Sequence, residues 1–272
     1  MKILDLYAGT RSIAKAFEER GHEVFTIEWD KKHPNIDWYA DMFDVTAEEI
    51  LKRFGKPDVI WASPPCEKFS VAAIGKHWHK GTNEPKTAET EEALRLLEHT
   101  VQLIKELDPK YYFIENPRGK MRKVDVMQNL PRHTVTYCQY GDTRMKPTDI
   151  WTNHPNPDFI PPCKNGMPCH VSAPRGSRTG TQGIKGTVDR SRIPDKLCHY
   201  IVDITTTYKL FDINGREEEL VSSVETLDSL KEFIHRAFDY EEQFLTTGLN
   251  FNDIVGRLEG IGYSAEENVE SA

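Results

Sequence analysis

Cysteine is scarce in this chain: five among 272 residues, an odd and thinly spread set. A secreted disulfide framework is excluded on that count, and a reducing, cytoplasmic setting is the expectation. Long apolar runs are lacking as well. None approaches the ~18 residues of a membrane-crossing helix, so no membrane partner is expected. The opening residues Met1 to Leu6 lack the charged-then-apolar layout of a signal peptide and read instead as a strand. No segment repeats. With 38% apolar and 29% charged residues, neither a fibrous nor a disordered class fits. The length suffices to bury a full core without a covalent staple.

Positive charge is short overall, at a formal net of −8, but its distribution is uneven. Residues 207–272 carry five Lys/Arg against fifteen Asp/Glu, whereas residues 116–206 carry fourteen against seven. A basic middle beside an acidic tail points to a polyanion partner for the middle.

The first half alternates between strand and helix signals. Residues 2–7, 24–28, 58–62 and 111–114 are short buried-type runs. Helical spacing is read after Gly9, over 46–54, and over 88–107, where Leu94, Leu97, Val101, Ile104 and Leu107 share a face. That alternation predicts an α/β fold, a mainly parallel, doubly wound, Rossmann-like sheet. Ligands gather at the carboxyl ends of such strands. Residues 147–192 are rich in Pro, Gly, Ser and Thr without helical period, and a helix opens at Ile193-Pro194. The expected domains are a catalytic 1–146, a small recognition region 147–192, a returning helix 193–208 and an acidic helical tail 209–272. That tail would hold helices near 226–238 and 251–259 and a frayed end from Glu266.

Three strand ends carry chemistry. Ser63-Pro64-Pro65-Cys66 stops a strand sharply and presents a thiol in a loop; a small buried cysteine is the alternative. Glu115, in Ile114-Glu115-Asn116-Pro117, places a carboxylate at a neighbouring end. A thiol and a carboxylate at adjacent ends suit attack on a ring that is protonated on its other side. Asp5 to Gly9 forms a strand-to-glycine turn whose following amides face the cleft. Glu28, about 20 residues on, is placed to grip ribose hydroxyls. Asp41 is a candidate acceptor from an adenine amino group, against a plain solvated aspartate.

These residues together resemble the DNA (cytosine-5) methyltransferases, over roughly residues 1–206. Asp5-Leu6-Tyr7-Ala8-Gly9 is similar to the first cofactor motif, Glu28 and Asp41 to the ribose and adenine acids. Pro64-Pro65-Cys66 resembles the nucleophile motif and Glu115-Asn116-Pro117 the Glu-Asn-Val motif. Tyr140 to Lys146 resembles a degenerate Gln-x-Arg-x-Arg segment, with Arg144 and Lys146 preserving its charge. Thr10-Arg11-Ser12 departs from the family's second glycine pair.

The resemblance implies S-adenosylmethionine as cofactor, held by Asp5, Tyr7, Ala8, Gly9, Glu28, Asp41 and Pro64, with Cys66 and Glu115 catalytic on a flipped cytosine of double-stranded DNA. A small prokaryotic or phage-like monomer is the expectation. Arg118, Lys120, Arg144, Lys146, Arg175 and Arg178 form the expected DNA-contacting set. Residues 71–87 read as a loop closing over the DNA. Three rivals stay open: an amino-group methyltransferase, since Ser63-Pro64-Pro65 also fits that motif; an enzyme acting on transfer RNA; and a DNA-binding module without cofactor. His154, Cys163, Cys169 and His170 are candidate zinc ligands in non-standard spacing, with packed thiols as the favoured reading. Metal binding and the partner of the acidic tail are left unknown.

Overall fold

The computed structural model describes residues 1–172, 187–206, 208–212, 219–224 and 263–267, the last three stretches and 187–188 by backbone alone. Two compact units divide the chain, Met1–Cys198 and His199–Ala272.

In the first unit, the apolar runs become Lys2–Leu6 (β1), Glu23–Glu28 (β2), Val59–Ala62 (β4) and Tyr111–Pro117 (β5), with the short Trp38–Tyr39 (β3) beside them. Two further strands, Arg132–Thr136 (β6) and Pro147–Thr152 (β7), complete a sheet of order β3-β2-β1-β4-β5-β7-β6. β3, β2, β1, β4 and β5 run parallel, and β7 enters antiparallel between β5 and β6. The order reverses between β1 and β4, which opens the crevice where ligands of such sheets bind.

Alternation along the strands sends side chains to opposite faces. Leu4, Leu6, Ile60, Ala62 and Ile114 pack with Leu97, Val101, Ile104 and Leu107 of the helix Ala88–Leu107 (labelled α4 below). That helix ends at Asp108, in a left-handed cap before Pro109. On the opposite face, Ile3, Trp61 and Phe113 are buried. The helices preceding α4 are Ser12–Glu18 (α1), Ala47–Arg53 (α2), whose Thr46 cap accepts from the Glu49 amide, and Ile74–His77 (α3). Asp125–Gln128 (α5), Thr187–Ser191 (α6) and Asp195–Thr205 (α7) follow α4. No helix among the described residues is long and apolar enough to cross a membrane.

Three expectations change. Residues 147–152 are a buried strand of the main sheet rather than the start of an irregular region, because Thr148 to Thr152 find partners on both sides. β5 continues past Ile114 to Pro117, since β7 pairs with it where β4 has already ended. In the second unit, Tyr208–Asp212 (β8), Glu219–Val224 (β9) and Tyr263–Glu267 (β10) form an antiparallel sheet of order β10-β8-β9. The expected frayed end at Glu266 therefore begins inside a paired strand. The helices expected near 226–238 and 251–259 lie outside the described residues.

Candidate active site

The carboxyl ends of β1, β2, β4 and β5 lie side by side on one edge of the sheet. β4 hands over to Ser63 and Pro64, and β5 carries Glu115 and Asn116. The Asn116 amide nitrogen donates to the Pro64 carbonyl at 2.8 Å, a buried bond that ties the nucleophile loop to the acid's strand. After Cys66 the chain turns tightly, its carbonyl accepting from the Phe69 and Ser70 amides at 3.0 and 2.9 Å. Ser70 then bridges to Gly119. A Cβ at Gly119 would sit 2.2 Å from the Phe69 carbonyl oxygen, so only glycine admits this approach.

Glu115 is buried and accepts from the Tyr137 hydroxyl at 2.9 Å. Burial holds the Cys66 thiol above its ordinary range, the Glu115 charge adds to this, and the Lys146 ammonium opposes it. Lys146 is in turn held below the ordinary lysine range by burial, against the pull of Glu115 and Cys66. Its ammonium lies 4.5 Å from the centre of the Tyr137 ring and donates to the Arg190 carbonyl at 3.2 Å. Thiol, carboxylate and ammonium thus act on one another in one electrostatic neighbourhood.

The sequence reading did not single out Tyr137. Its hydrogen bond fixes the carboxylate's orientation, so it is a positioning residue. Tyr137→Phe is expected to lower kcat about tenfold, the loss of one charge-assisted bond, with substrate KM nearly unchanged. Steady-state kinetics checks the split.

At the other end of the crevice, the Gly9 amide donates to Glu28 Oε2 at 3.0 Å, while Oε1 accepts from the Trp29 and Asp30 amides at 2.9 and 3.0 Å. The carboxylate is held by backbone alone, with lone pairs remaining for hydroxyl donors. Trp29, next to it, is 65% exposed. An exposed indole beside a ribose-type acid is a flat apolar surface for a purine, and its position after a strand-end Glu was a readable signal. Asp41 caps the 3-10 turn Met42–Asp44, accepting from the Phe43 amide at 3.0 Å. Tyr7 and Arg11 adopt left-handed backbone at φ 60° and 57°. Arg11 turns its side chain onto Glu18, so the residue standing where the family favours glycine still supplies the glycine-like bend. The Tyr7 hydroxyl bonds Thr100 at 2.6 Å.

Asp5 is buried, and one of its carboxyl oxygens has no hydrogen-bond partner. Burial raises its pKa to about 7, against the Ala14 amide and Arg11, with Glu28 and Glu18 adding to the rise. A raised folded-state value means the protonated carboxyl stabilises the fold fully below pH ~4, and that contribution is lost as the pH rises through about 7. At about 1.4 kcal/mol per pH unit the loss amounts to a few kcal/mol. Asp5→Asn is expected to flatten this dependence, raising the denaturation midpoint at pH 8 relative to the parent and leaving little difference at pH 4. Urea titrations at the two pH values test it.

The expected DNA-contacting set divides. Arg118 is exposed at the end of β5. Lys120, only 8% exposed, donates to the Thr82 carbonyl and Asn83 Oδ1 at 2.5 and 2.8 Å and lies over the Trp78 ring. Arg144 is buried against Asp142 and the carbonyls of Asp189, Arg190 and Arg192. Lys146 points into the site. All three of these cations have internal partners, and Arg118 is the member of the described set that stands exposed. Arg175 and Arg178 lie outside the described residues. The expected closing loop at 71–87 contains α3 and the buried His77 and Trp78, with the Trp78 indole donating to the Lys68 carbonyl at 2.7 Å. It is anchored at its middle rather than free throughout.

Several known proteins are similar to this chain. The profile of the "C-5 cytosine-specific DNA methylase" family matches residues 1–129. A protein of Frog virus 3 (isolate Goorha) named "Probable DNA (cytosine-5)-methyltransferase" is 31% identical over 222 residues, covering 75% of this chain and 100% of the viral protein. The "DNA-cytosine methyltransferase" of Escherichia coli (strain K12) is 27% identical over 143 residues, 43% of this chain and 30% of the bacterial one. Among solved structures, the Entamoeba histolytica methyltransferase EhMeth superposes with a TM-score of 0.44 at 12% identity, covering 61% of this chain and 58% of that one. With a thiol and a carboxylate tied together across adjacent strand ends, and a full-length relative above 30% identity, the chain belongs to the DNA (cytosine-5) methyltransferase family.

Proposed function

We propose that this enzyme methylates C5 of cytosine in double-stranded DNA through a covalent adduct between Cys66 and C6 of a flipped base. The observation that carries the reading is the Asn116–Pro64 hydrogen bond, which couples the loop bearing the thiol to the strand bearing the carboxylate.

The crevice between β1 and β4 fits S-adenosylmethionine. Glu28 offers carboxylate lone pairs to ribose hydroxyls and Trp29 an apolar face to the adenine. Asp41 stands as acceptor for the adenine amino group, and the unpartnered oxygen of Asp5 awaits a donor. Tyr7, Ala8, Gly9 and Pro64 are the further residues assigned to the cofactor, from the loops that follow β1 and β4. When bound, this cofactor supplies an electrophilic methyl group.

C5 of cytosine is a weak nucleophile, and the protein's residues correct that. Cys66 gives up its proton to solvent and adds as thiolate to C6, which shifts the C5=C6 electron pair onto C5, while Glu115 accepts from the protonated N3 and stabilises the ring that makes C6 open to attack. Lys146, close to both charges, favours the thiolate over the thiol. After C5 has gained its substituent, water takes the C5 proton, the freed pair re-forms the C5=C6 bond, and the C6–S pair leaves with sulfur as the thiolate. C6 is hidden in a stacked duplex, so the base leaves the helix at a cost of a few kcal/mol.

Mixed-sequence duplex DNA incubated with the protein and S-adenosylmethionine, then digested to nucleosides for mass spectrometry, tests the reading. 5-Methylcytosine is expected. N4-methylcytosine, or modification of transfer RNA with none of DNA, overturns it.

A further inference from the structure

We infer that Cys138, Cys163, Cys169 and His170 form a structural zinc site that folds the segment 153–172 onto the end of β6.

The four ligand atoms lie within 4.8 Å of one another. Zn–S bonds of about 2.3 Å and Zn–N bonds of about 2.0–2.1 Å in a tetrahedron require S···S separations near ~3.8 Å and S···N separations near ~3.5 Å. Cys169 Sγ lies 3.7 Å from Cys138 Sγ, and His170 Nδ1 lies 3.5 Å from Cys169 Sγ and 3.7 Å from Cys163 Sγ. Cys138 and Cys163 stand closer, at 3.1 Å, well beyond the ~2.05 Å of a disulfide but inside the ~3.8 Å of a shared zinc, so metal binding has to spread this pair; all the cysteines are free. Three thiols and one imidazole at these separations make a soft donor set suited to zinc.

His154, which the spacing reading offered as a ligand, takes no part. It is buried at 4.6 Å from the Tyr111 ring, and its Nδ1 accepts from the Asn156 amide at 3.3 Å. Cys138 takes the fourth position, delivered by the 3-10 turn Tyr137–Tyr140 that follows β6. The turn at Lys164–Met167, with Gly166 at φ 86°, brings Cys163 and Cys169 together.

The segment has need of such a clamp. Residues 153–172 hold no helix or strand, and Ile160, Met167 and Val171 are exposed, so the segment has little apolar core of its own. Three hydrogen bonds already align it with the sheet end: Cys163 N–H to Thr136 Oγ1 at 2.9 Å, Ile160 N–H to the Tyr140 hydroxyl at 3.0 Å, and Val171 N–H to the Thr143 carbonyl at 3.0 Å. A bound metal closes what these bonds begin, its binding energy becoming folding energy for the segment. The proposal rests on the four ligand positions and does not depend on the assignment of the reaction's chemistry.

Protein purified without chelator from zinc-supplemented medium is expected to carry one zinc per chain by elemental analysis. Cys169→Ser, at an exposed position that leaves the sheet intact, is expected to lose most of it, whereas Cys66→Ser keeps it. Cobalt exchanged into the parent protein is expected to show sulfur-to-cobalt charge transfer and the intense visible bands of tetrahedral thiolate coordination. Absence of metal, iron in place of zinc, undiminished zinc in a folded Cys169→Ser variant, or a Cys138–Cys163 disulfide in non-reducing peptide mapping each overturns the site. If Cys169→Ser does not fold, the cobalt spectrum and the zinc content of the parent decide alone.

Discussion

Cys66→Ala is expected to abolish methylation of DNA, by a factor on the order of 10⁴ or more, as loss of a covalent nucleophile does in other enzymes. DNA binding should survive, because the substitution removes a thiol and no charge. Duplex DNA carrying 5-fluorocytosine is expected to form a denaturant-stable adduct with the parent protein, since fluorine cannot leave C5 as a proton does, and no adduct with the variant. Gel electrophoresis under denaturing conditions reads both. An adduct formed by Cys66→Ala, or undiminished turnover, refutes covalent catalysis at this sulfur. The pH dependence has a definite sign. Burial and Glu115 hold the thiol above its ordinary range, so the thiolate fraction, and with it the rate of adduct formation, climbs from neutral into alkaline pH. Lys146→Met removes a cation that favours the thiolate and shifts that rise to higher pH.

Glu115→Gln is the second large effect. The carboxylate stabilises a protonated N3 that an amide oxygen meets far less well, and general acid–base groups of this kind contribute about 10²–10⁴ in rate. The fall is expected in kcat, with affinity for S-adenosylmethionine changed less than about threefold, because Glu115 sits on β5 while most of the proposed cofactor residues follow β1 and β2. Single-turnover kinetics beside calorimetric titration separates the two. An equal loss in both means the substitution has disturbed the fold, as breaking the Tyr137 bond to a buried group can do.

Much of this site was legible because its strands announce their own ends. Val59-Ile60-Trp61-Ala62 runs into Pro64-Pro65, and Lys2 to Leu6 runs into Gly9, so apolar run and stop signal fall together. β7 carried no such mark. Pro147-Thr148-Asp149 is polar, and the buried Asp149 is met by Arg122 from the stretch following β5 and by the Thr134 hydroxyl of β6, each with a bond at 2.8 Å. Sequence distance hides a pairing of that kind. The partners of the basic residues are hidden for the same reason. Lys120 and Arg144 count as positive in a charge tally, but their partners, the Thr82 carbonyl and Asp142 with the 189–192 backbone, are supplied by folding. Cys138 escaped the zinc reading because it lies 25 residues before Cys163, in a buried turn rather than in the cysteine-bearing loop itself.

The contact between Ser70 and Gly119 has a mechanical consequence. It rivets the segment leaving the nucleophile to the segment leaving the acid, so neither can swing without dragging the other. On the proposed reading, the jaw that closes on a pyrimidine is therefore preset in width, and admitting the base becomes a task for the rim around it. Swapping this glycine in a designed variant would spread the jaw before it altered any reacting atom.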